Sequence, residues 1–183
     1  RTGVGLVDIR SHALVSWALN DVGKLEFIVP RPDPACKERY LRFGNLVRFR
    51  HSTAGDWGGF IYTPRYWRQD AIVVRALSAE FLFARRRGPA NITYRGTAGA
   101  IFGKLLQIAN EAEDTRIRPG SIWAGGKPHE RTSRDTPLLD MIHGLQENSG
   151  QDWWLTPADD VDGRLIFLAN WAERAGTRMP FEL

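Results

Sequence analysis

The amino-acid sequence predicts a strand-rich α+β protein with two domains, over residues 1–80 and 81–183. Short segments of alternating polar and apolar residues dominate the first half, which is typical of a small antiparallel β-barrel or sandwich. In the second half, two segments repeat apolar residues every three or four positions, as amphipathic helices do. We therefore expect a second domain of two helices and a sheet. The pattern leaves open whether it is intertwined with the first.

The first half opens with a predicted β-hairpin and continues with three more strands. The hairpin strands are expected over residues 15–19 and 24–29, joined by the turn-forming Asn20-Asp21-Val22-Gly23. Three prolines follow, and they end the second strand because proline has no N–H for the ladder. The remaining strands of this half are predicted at residues 46–50, 58–62 and 71–77.

A short helix is expected between the second and third strands. Asp33 followed by Pro34 has the composition of a helix N-cap and a first helical residue. The predicted helix covers residues 34–41, and Gly44 lies beyond its end. One short helix beside five strands is compatible with either a barrel or a sandwich.

Two amphipathic helices are predicted in the second half, over residues 98–112 and 137–148. Thr97 precedes the first helix as a candidate N-cap, and Gly150 follows the second as a candidate C-terminal glycine. Apolar residues recur at helical spacing in both segments: Ile101, Phe102, Leu105, Leu106 and Ala109, then Leu138, Leu139, Ile142 and Leu145.

A second hairpin is predicted after these helices. Its strands cover residues 152–156 and 164–168, and residues 157–163 form the connecting turn. We expect the two helices to pack across one sheet that combines this hairpin with strands near Thr93 and Arg131.

The sequence shows no motif for catalysis, a cofactor or a metal, so no catalytic, cofactor-binding or metal-binding residue is predicted. The four histidines lack zinc-motif spacing, and Cys36 is the single cysteine. Asp162-Gly163 predicts a turn rather than an EF-hand, because Ala158 and Ala169 would fall at ligand positions. We therefore predict that the chain is not an enzyme. A catalytic triad is defined by geometry, so the sequence alone leaves that alternative open.

The composition favours binding to other macromolecules. The net charge is +4 and there are seven tryptophans, a residue type enriched at protein interfaces. We predict interface roles for Trp57 and Trp67 and for the basic run Arg85, Arg86 and Arg87. No apolar run approaches the roughly 18 residues of a membrane span, so none is expected.

The arginine run also supports an alternative function, a nucleic-acid-binding β-barrel module. Phe81, Phe83 and Tyr94 lie near the run in the sequence. Aromatic rings that stack on bases, together with cations that contact phosphates, would bind a single strand. An ordinary solvated surface explains the same charges.

A series of short motifs resembles the hub proteins of phage tail tips and baseplates. Each motif is common by itself, and their order and spacing over residues 4–170 carry the resemblance. The motifs are Trp17–Pro30, Asp33-Pro34-Ala35, Leu41–Val47, Trp57–Ile61, Tyr94–Phe102 with Leu105-Leu106 and Ala109-Asn110, Leu138-Leu139 with Leu145, and Gly150–Trp154.

The resemblance implies a structural virion protein that forms a homotrimer at the distal end of the tail tube, in the tail tip or baseplate. The implied partners are further copies of the chain, the distal tail and tail tube proteins, and the tape measure protein. Paired barrel-like domains of three subunits would form a pseudo-six-fold ring around a channel, where passing DNA makes transient contact. No cofactor is implied. Many members continue into a peptidase or receptor-binding extension, which we do not expect within these 183 residues.

Overall fold

The structure is a computed structural model, and it contains two compact units. It describes the backbone and side chains of most of the chain, and the backbone alone at His51, Tyr66 and Trp67; the described ranges are 13–51, 55–62, 66–67 and 70–175. Unit 1 comprises Arg1–Ala18 and Val22–Ala79, and unit 2 comprises Leu19–Asp21 and Glu80–Leu183. Strands outnumber helices in the described residues, so the predicted strand-rich α+β class is confirmed.

The described residues of unit 1 form one antiparallel sheet. Its strand order is β1-β2-β6-β4-β3, and the short β5 pairs with β6 on the same side as β4. The strands are β1 (Ala13–Ser16), β2 (Lys24–Pro30), β3 (Leu46–His51), β4 (Gly55–Ile61), β5 (Tyr66–Trp67) and β6 (Ala71–Ser78). The predicted first hairpin is present as β1 and β2, with Ser16 opposite Lys24.

The unit 1 sheet curls around its own core. Alternate residues of β2 point inward, and they pack with residues from β4, β6 and the β2–β3 connection. At the two ends of the strand order, the rings of Trp17 and Phe49 lie 6.5 Å apart, centroid to centroid. Over the described residues the hydrogen-bonded path remains open between β1 and β3. The core residues are Leu25, Phe27, Val29, Leu41, Trp57, Ile61, Ile72, Val74 and Ala76.

The helix predicted over residues 34–41 is wrong, because the segment forms consecutive turns. The Asp33 carboxylate does accept a hydrogen bond from the Ala35 N–H, at 2.7 Å. However, the Lys37 N–H donates to the Ala35 carbonyl only two residues back, so no i to i−4 series begins. The Asn45 Nδ2 donates hydrogen bonds to the backbone carbonyls of Arg39 and Tyr40, later in the same segment. A local cap was therefore present without the helix that it usually starts.

The described residues of unit 2 form three helices and two separate sheets. One sheet has the order β10-β11-β8, with β8 parallel to β11, and the other is the antiparallel pair β7-β9. The elements are α1 (Phe81–Ala84), β7 (Ile92–Thr97), α2 (Ala98–Glu111), β8 (Ile117–Ile122), β9 (Pro128–Ser133), α3 (Leu138–Ser149), β10 (Asp152–Asp159) and β11 (Leu165–Ala172).

The expectation of a single sheet in this half is wrong. The strands near Thr93 and Arg131 pair with each other as β7 and β9, while the hairpin β10–β11 pairs with β8. The sequence of β8 contains Pro119 and Gly120, which are depleted in strands and concealed it. An outer strand tolerates a proline, because one of its edges needs no partner.

The core of unit 2 is an aromatic cluster between the helices and the β10–β11 hairpin. Phe102 of α2 lies 4.9 Å from Trp171 and 6.2 Å from Trp153, measured between ring centroids. Phe83 of α1 contacts both Phe102 and Trp153. The apolar faces predicted for α2 and α3 are buried around these rings. The helical spacing therefore identified the correct core residues.

A three-residue segment of the β1–β2 loop belongs to unit 2. The Asn20 N–H donates to the Trp153 carbonyl at 3.1 Å, and the Asn20 Oδ1 accepts from the Trp153 N–H at 2.6 Å. The Asn20 Nδ2 also donates to Asp152 Oδ1 at 2.8 Å. Because β10 is the outer strand of its sheet, Asn20 satisfies backbone groups that would otherwise form an open edge.

We predict opposite effects of two alanine substitutions in α2. An ideal Cβ at Gly99 would lie 2.0 Å from the Trp123 carbonyl oxygen, whereas one at Gly103 has nothing within 4 Å. Gly99→Ala should therefore lower the free energy of unfolding by about 1–3 kcal/mol. Gly103→Ala should raise it by roughly 0.5–1 kcal/mol, because alanine is the better helix former. Urea titrations followed by tryptophan fluorescence test the pair, and equal shifts of both variants would contradict the close approach at Gly99.

We also predict that Asn20 contributes more to stability than Asn91 does. Both have positive φ, 63° and 62°, a conformation that asparagine tolerates better than alanine. Of these two asparagines, only Asn20 makes side-chain hydrogen bonds to other described residues. Asn91→Ala should cost about 1 kcal/mol for the backbone conformation alone. Asn20→Ala should cost about 2–4 kcal/mol, since it also removes two hydrogen bonds.

Amide hydrogen exchange at Trp153 checks this prediction alongside urea denaturation. The Trp153 amide should exchange faster in Asn20→Ala and at the unaltered rate in Asn91→Ala, after correction for global stability. Equal unfolding free energies for the two variants would show that the Asn20 side chain adds nothing beyond its backbone conformation.

Candidate interaction surface

Trp57, one of the two predicted interface tryptophans, is not on the surface of unit 1. Only 3% of it is exposed, and it packs in the core between the sheet strands. It lies in β4 opposite Phe49 of β3, on the inward side of the curled sheet. The prediction of Trp57 as surface aromatic is therefore wrong, because the strand register turns this side chain inward.

Trp67 lies in β5, where its backbone pairs with Ile72 of β6. Its side chain is outside the described residues. The interface role of Trp67 therefore stays a prediction.

The predicted basic run follows α1, and two of its three arginines are engaged within unit 2. Arg86 donates to Glu113 at 3.0 Å, and Arg87 donates to Asp135 at 3.0 Å. Arg85 is exposed, and its side chain has no partner among the residues described. The run therefore offers one free cation rather than three.

Two of the three aromatic residues near this run are too buried to stack on a base, whereas Phe81 is half-buried. Phe83 is fully buried in the aromatic cluster, and Tyr94 is 8% exposed. A base can stack only on a ring whose face is accessible. The structure therefore removes most of the support for the nucleic-acid-binding alternative.

A groove on the outer face of the unit 1 sheet is the surface that sequence reasoning missed. It runs across β1, β2 and β6, and its volume is about 460 Å³. Because Leu25, Phe27 and Val29 of β2 face the core, Lys24 and Glu26, which alternate with them along the strand, face this groove. This depression, the unit 1 groove, has a lining that includes Leu14, Ser16, Lys24, Glu26, Tyr62, Arg75 and Leu77.

Two apolar side chains flank the unit 1 groove. Leu14 on β1 is 75% exposed, and Tyr62 lines the opposite side after β4. The ring of Phe43, which is 56% exposed, lies 6.2 Å from the Tyr62 ring. Exposed apolar side chains grouped in this way mark interaction surfaces more often than single ones do. One residue in the sequence could have indicated this surface. Leu14 is apolar, although it lies on the exposed face of β1, where alternation predicts a polar residue.

The unit 1 groove contains one ion pair and one further cation. Arg75 and Glu26 form an ion pair at 2.5 Å across β6 and β2. Lys24 is exposed and has no ion-pair partner in the described part of the chain. The groove therefore suits a partner that brings apolar contact together with negative charge.

A second, more polar groove lies in unit 2 between α2 and β8. It has a volume of about 590 Å³ and is lined by Lys104, Gln107 and Arg118, among other residues. Arg118 donates two hydrogen bonds to the Asp114 carboxylate, at 2.7 and 2.9 Å. These bonds and the Arg116 N–H hold the pKa of the Asp114 carboxyl at about 2.

The described residues contain neither a metal-binding cluster nor a membrane-spanning helix. No group of three or more His, Cys, Asp or Glu side chains is close enough there to hold a metal ion. Within the same residues, no helix is both long and apolar enough to cross a membrane.

The fold of the chain is similar to that of solved structures, although its sequence has no close match. No protein-family model and no curated protein sequence matches the chain. Solved structures do match, and two of them share 16% sequence identity with the chain. One is the Escherichia coli c3393 protein, described as a component of the type VI secretion system with structural similarity to the T4 bacteriophage tail proteins gp27 and gp5. The other is the prophage tail protein gp18 of Listeria monocytogenes EGD-e.

The similarity covers most of this chain but less than half of either structure. The TM-score is 0.54 with c3393, over 88% of this chain and 47% of that protein. It is 0.55 with gp18, over 89% of this chain and 44% of that protein. The chain therefore spans somewhat under half the length of the proteins whose fold it shares.

The Asp114–Arg118 pair predicts a measurable pH response. The Asp114 carboxyl should titrate near pH 2 in the folded chain, below the roughly 3.9 of an unperturbed aspartate. A lowered pKa means that the pair's contribution is present above the unfolded value and lost as the pH falls through about 2. Carboxyl-carbon NMR measures this titration directly. Arg118→Gln should raise the Asp114 pKa towards its ordinary value, and an unchanged pKa would contradict the assigned cause.

Proposed function

We propose that the chain is a structural component of a phage tail, or of a related injection system. In this proposal it forms a homotrimeric hub at the distal end of the tail tube, in the tail tip or baseplate of the virion. The observation that carries the proposal is the shared fold. It extends over nearly nine-tenths of the chain and therefore includes parts of both units.

The surface of the chain is compatible with repeated protein contacts. The unit 1 groove has apolar walls and an unpaired cation, the combination expected at a specific but non-obligate interface. The proposed partners are further copies of the chain, the distal tail and tail tube proteins, and the tape measure protein in the channel. The proposal assigns no catalytic step and no cofactor to the chain.

DNA contact in the channel is a secondary part of the proposal. Arg85 is exposed and has no side-chain partner among the described residues, whereas Arg86 and Arg87 are held by acidic side chains. A single free arginine would suit brief phosphate contact with passing DNA better than stable binding. Arg85 is therefore the proposed DNA contact residue, and Trp67 stays a proposed interface residue.

The mass and the shape of the assembly in solution test the proposal. Light scattering after size exclusion should give about 62 kDa, three times the 20.7 kDa of one chain. Negative-stain electron microscopy should show three-fold particles with a central opening. A monomer mass at every concentration, with no ring under any salt condition, would rule out the homotrimeric hub.

Oligonucleotide binding separates the hub from the nucleic-acid-binding alternative. A labelled single strand should bind weakly or not at all at physiological salt, and Arg85→Glu should leave the trimer mass unchanged. Tight, salt-dependent binding by a monomer would favour the alternative instead.

A further inference from the structure

The β10–β11 hairpin ends in a fully exposed valine on a well-defined turn. Val161 stands at the tip with its whole side chain accessible. The Asp160 Oδ1 accepts hydrogen bonds from the Asp162 N–H at 2.9 Å and from the Arg164 N–H at 2.7 Å. The Gly163 N–H donates to the Asp160 carbonyl at 2.9 Å. These bonds hold the turn in one shape, so binding to a partner would cost little conformational entropy.

The same tip is acidic. Asp159, Asp160 and Asp162 surround Val161, and Arg164 is the one basic residue of the turn. A single exposed valine would need no explanation by itself. Here it lies at the end of a negatively charged turn that hydrogen bonds hold in one shape.

The unit 1 groove matches this tip in size and in charge. Its apolar walls, Leu14 and Tyr62, stand on either side of a depression of about 460 Å³, which is large enough for a valine and its adjoining turn. Lys24 supplies an unpaired cation, where the tip brings carboxylates. Opposite charges around an apolar contact give an interface its specificity and its orientation.

We propose that the tip of the β10–β11 hairpin of one copy of this chain docks into the unit 1 groove of the next copy. Val161 inserts between Leu14 and Tyr62, and Asp162 faces Lys24. Since the two surfaces differ, the contact is head-to-tail. Repetition of such a contact closes a ring when the rotation per copy is a fraction of a full turn. This inference rests on the proposed function, for which it names the contact between subunits.

Matched variants of the tip and the groove test the contact. Val161→Asp damages only the tip, and Leu14→Asp damages only the groove. Both positions are highly exposed, so folding should be unaffected, which circular dichroism and urea titration check. Each variant should weaken self-association at least tenfold in sedimentation experiments. Ile92→Asp, another exposed apolar residue in a strand, is the control and should associate like the unaltered chain.

Mixing the two damaged variants gives the sharpest result. The Val161→Asp chain keeps its groove, and the Leu14→Asp chain keeps its tip. An equimolar mixture should therefore form a one-to-one dimer and stop there, because the remaining tip and groove are both damaged. Formation of this dimer supports the proposal. A mixture that stays monomeric overturns it.

A charge exchange tests the polar part of the contact. Lys24→Glu and Asp162→Lys should each weaken self-association several-fold, and the two together in one chain should restore most of it. Absence of any restoration would overturn the pairing of Lys24 with Asp162.

The outcomes separate this inference from the function on which it rests. Rings that persist unchanged in Val161→Asp and Leu14→Asp overturn the docking contact and leave the hub proposal intact. If the unaltered chain stays monomeric throughout, both proposals fail together.

Discussion

Unit 2 depends on one cross-strand pair of tryptophans. Trp153 and Trp171 stand opposite each other in the β10–β11 ladder, and both are almost fully buried. Phe102 of α2 packs against both rings, Phe83 of α1 packs against Trp153, and so does His143 of α3. Each close aromatic pair adds about 0.5–1.5 kcal/mol beyond the area that it buries. One pair of large side chains therefore positions three helices on a single hairpin.

Sequence reasoning succeeded where local chemistry and tertiary packing agree. Thr97 accepts a hydrogen bond from the Ala100 N–H at the start of α2, and Gly150 takes the left-handed conformation at the end of α3. Both helices lie within a residue of their predicted ends. The turn at Asp33 shows the limit of the method, because a cap residue and a proline were present but the next N–H groups found other partners. Likewise, β8 exists because β11 offers it an edge, which no pattern within residues 117–122 records.

The sequence predicted the fold better than it predicted the interaction surface. Whether Trp57 faces the core or the solvent depends on its register with β3, and composition carries no information about register. The unit 1 groove is assembled from β1, β2, β6 and Tyr62, which are distant in sequence. The sheet thus has an inner face with a continuous apolar core and an outer face where apolar walls surround charged residues. Only the first of these faces leaves a periodic trace in the sequence.

The position of Asn20 has a consequence for how this protein can be divided. The segment Leu19–Asp21 belongs to unit 2 although unit 1 residues precede and follow it in the chain. A gene fragment that starts at Glu80 would encode unit 2 without the residue that satisfies the outer edge of β10. The backbone N–H and carbonyl of Trp153 would then be free to pair with another chain, which is a common route to aggregation. Unit 2 is compact in space but discontinuous in the sequence, so no single uninterrupted fragment encodes it without also encoding residues of unit 1.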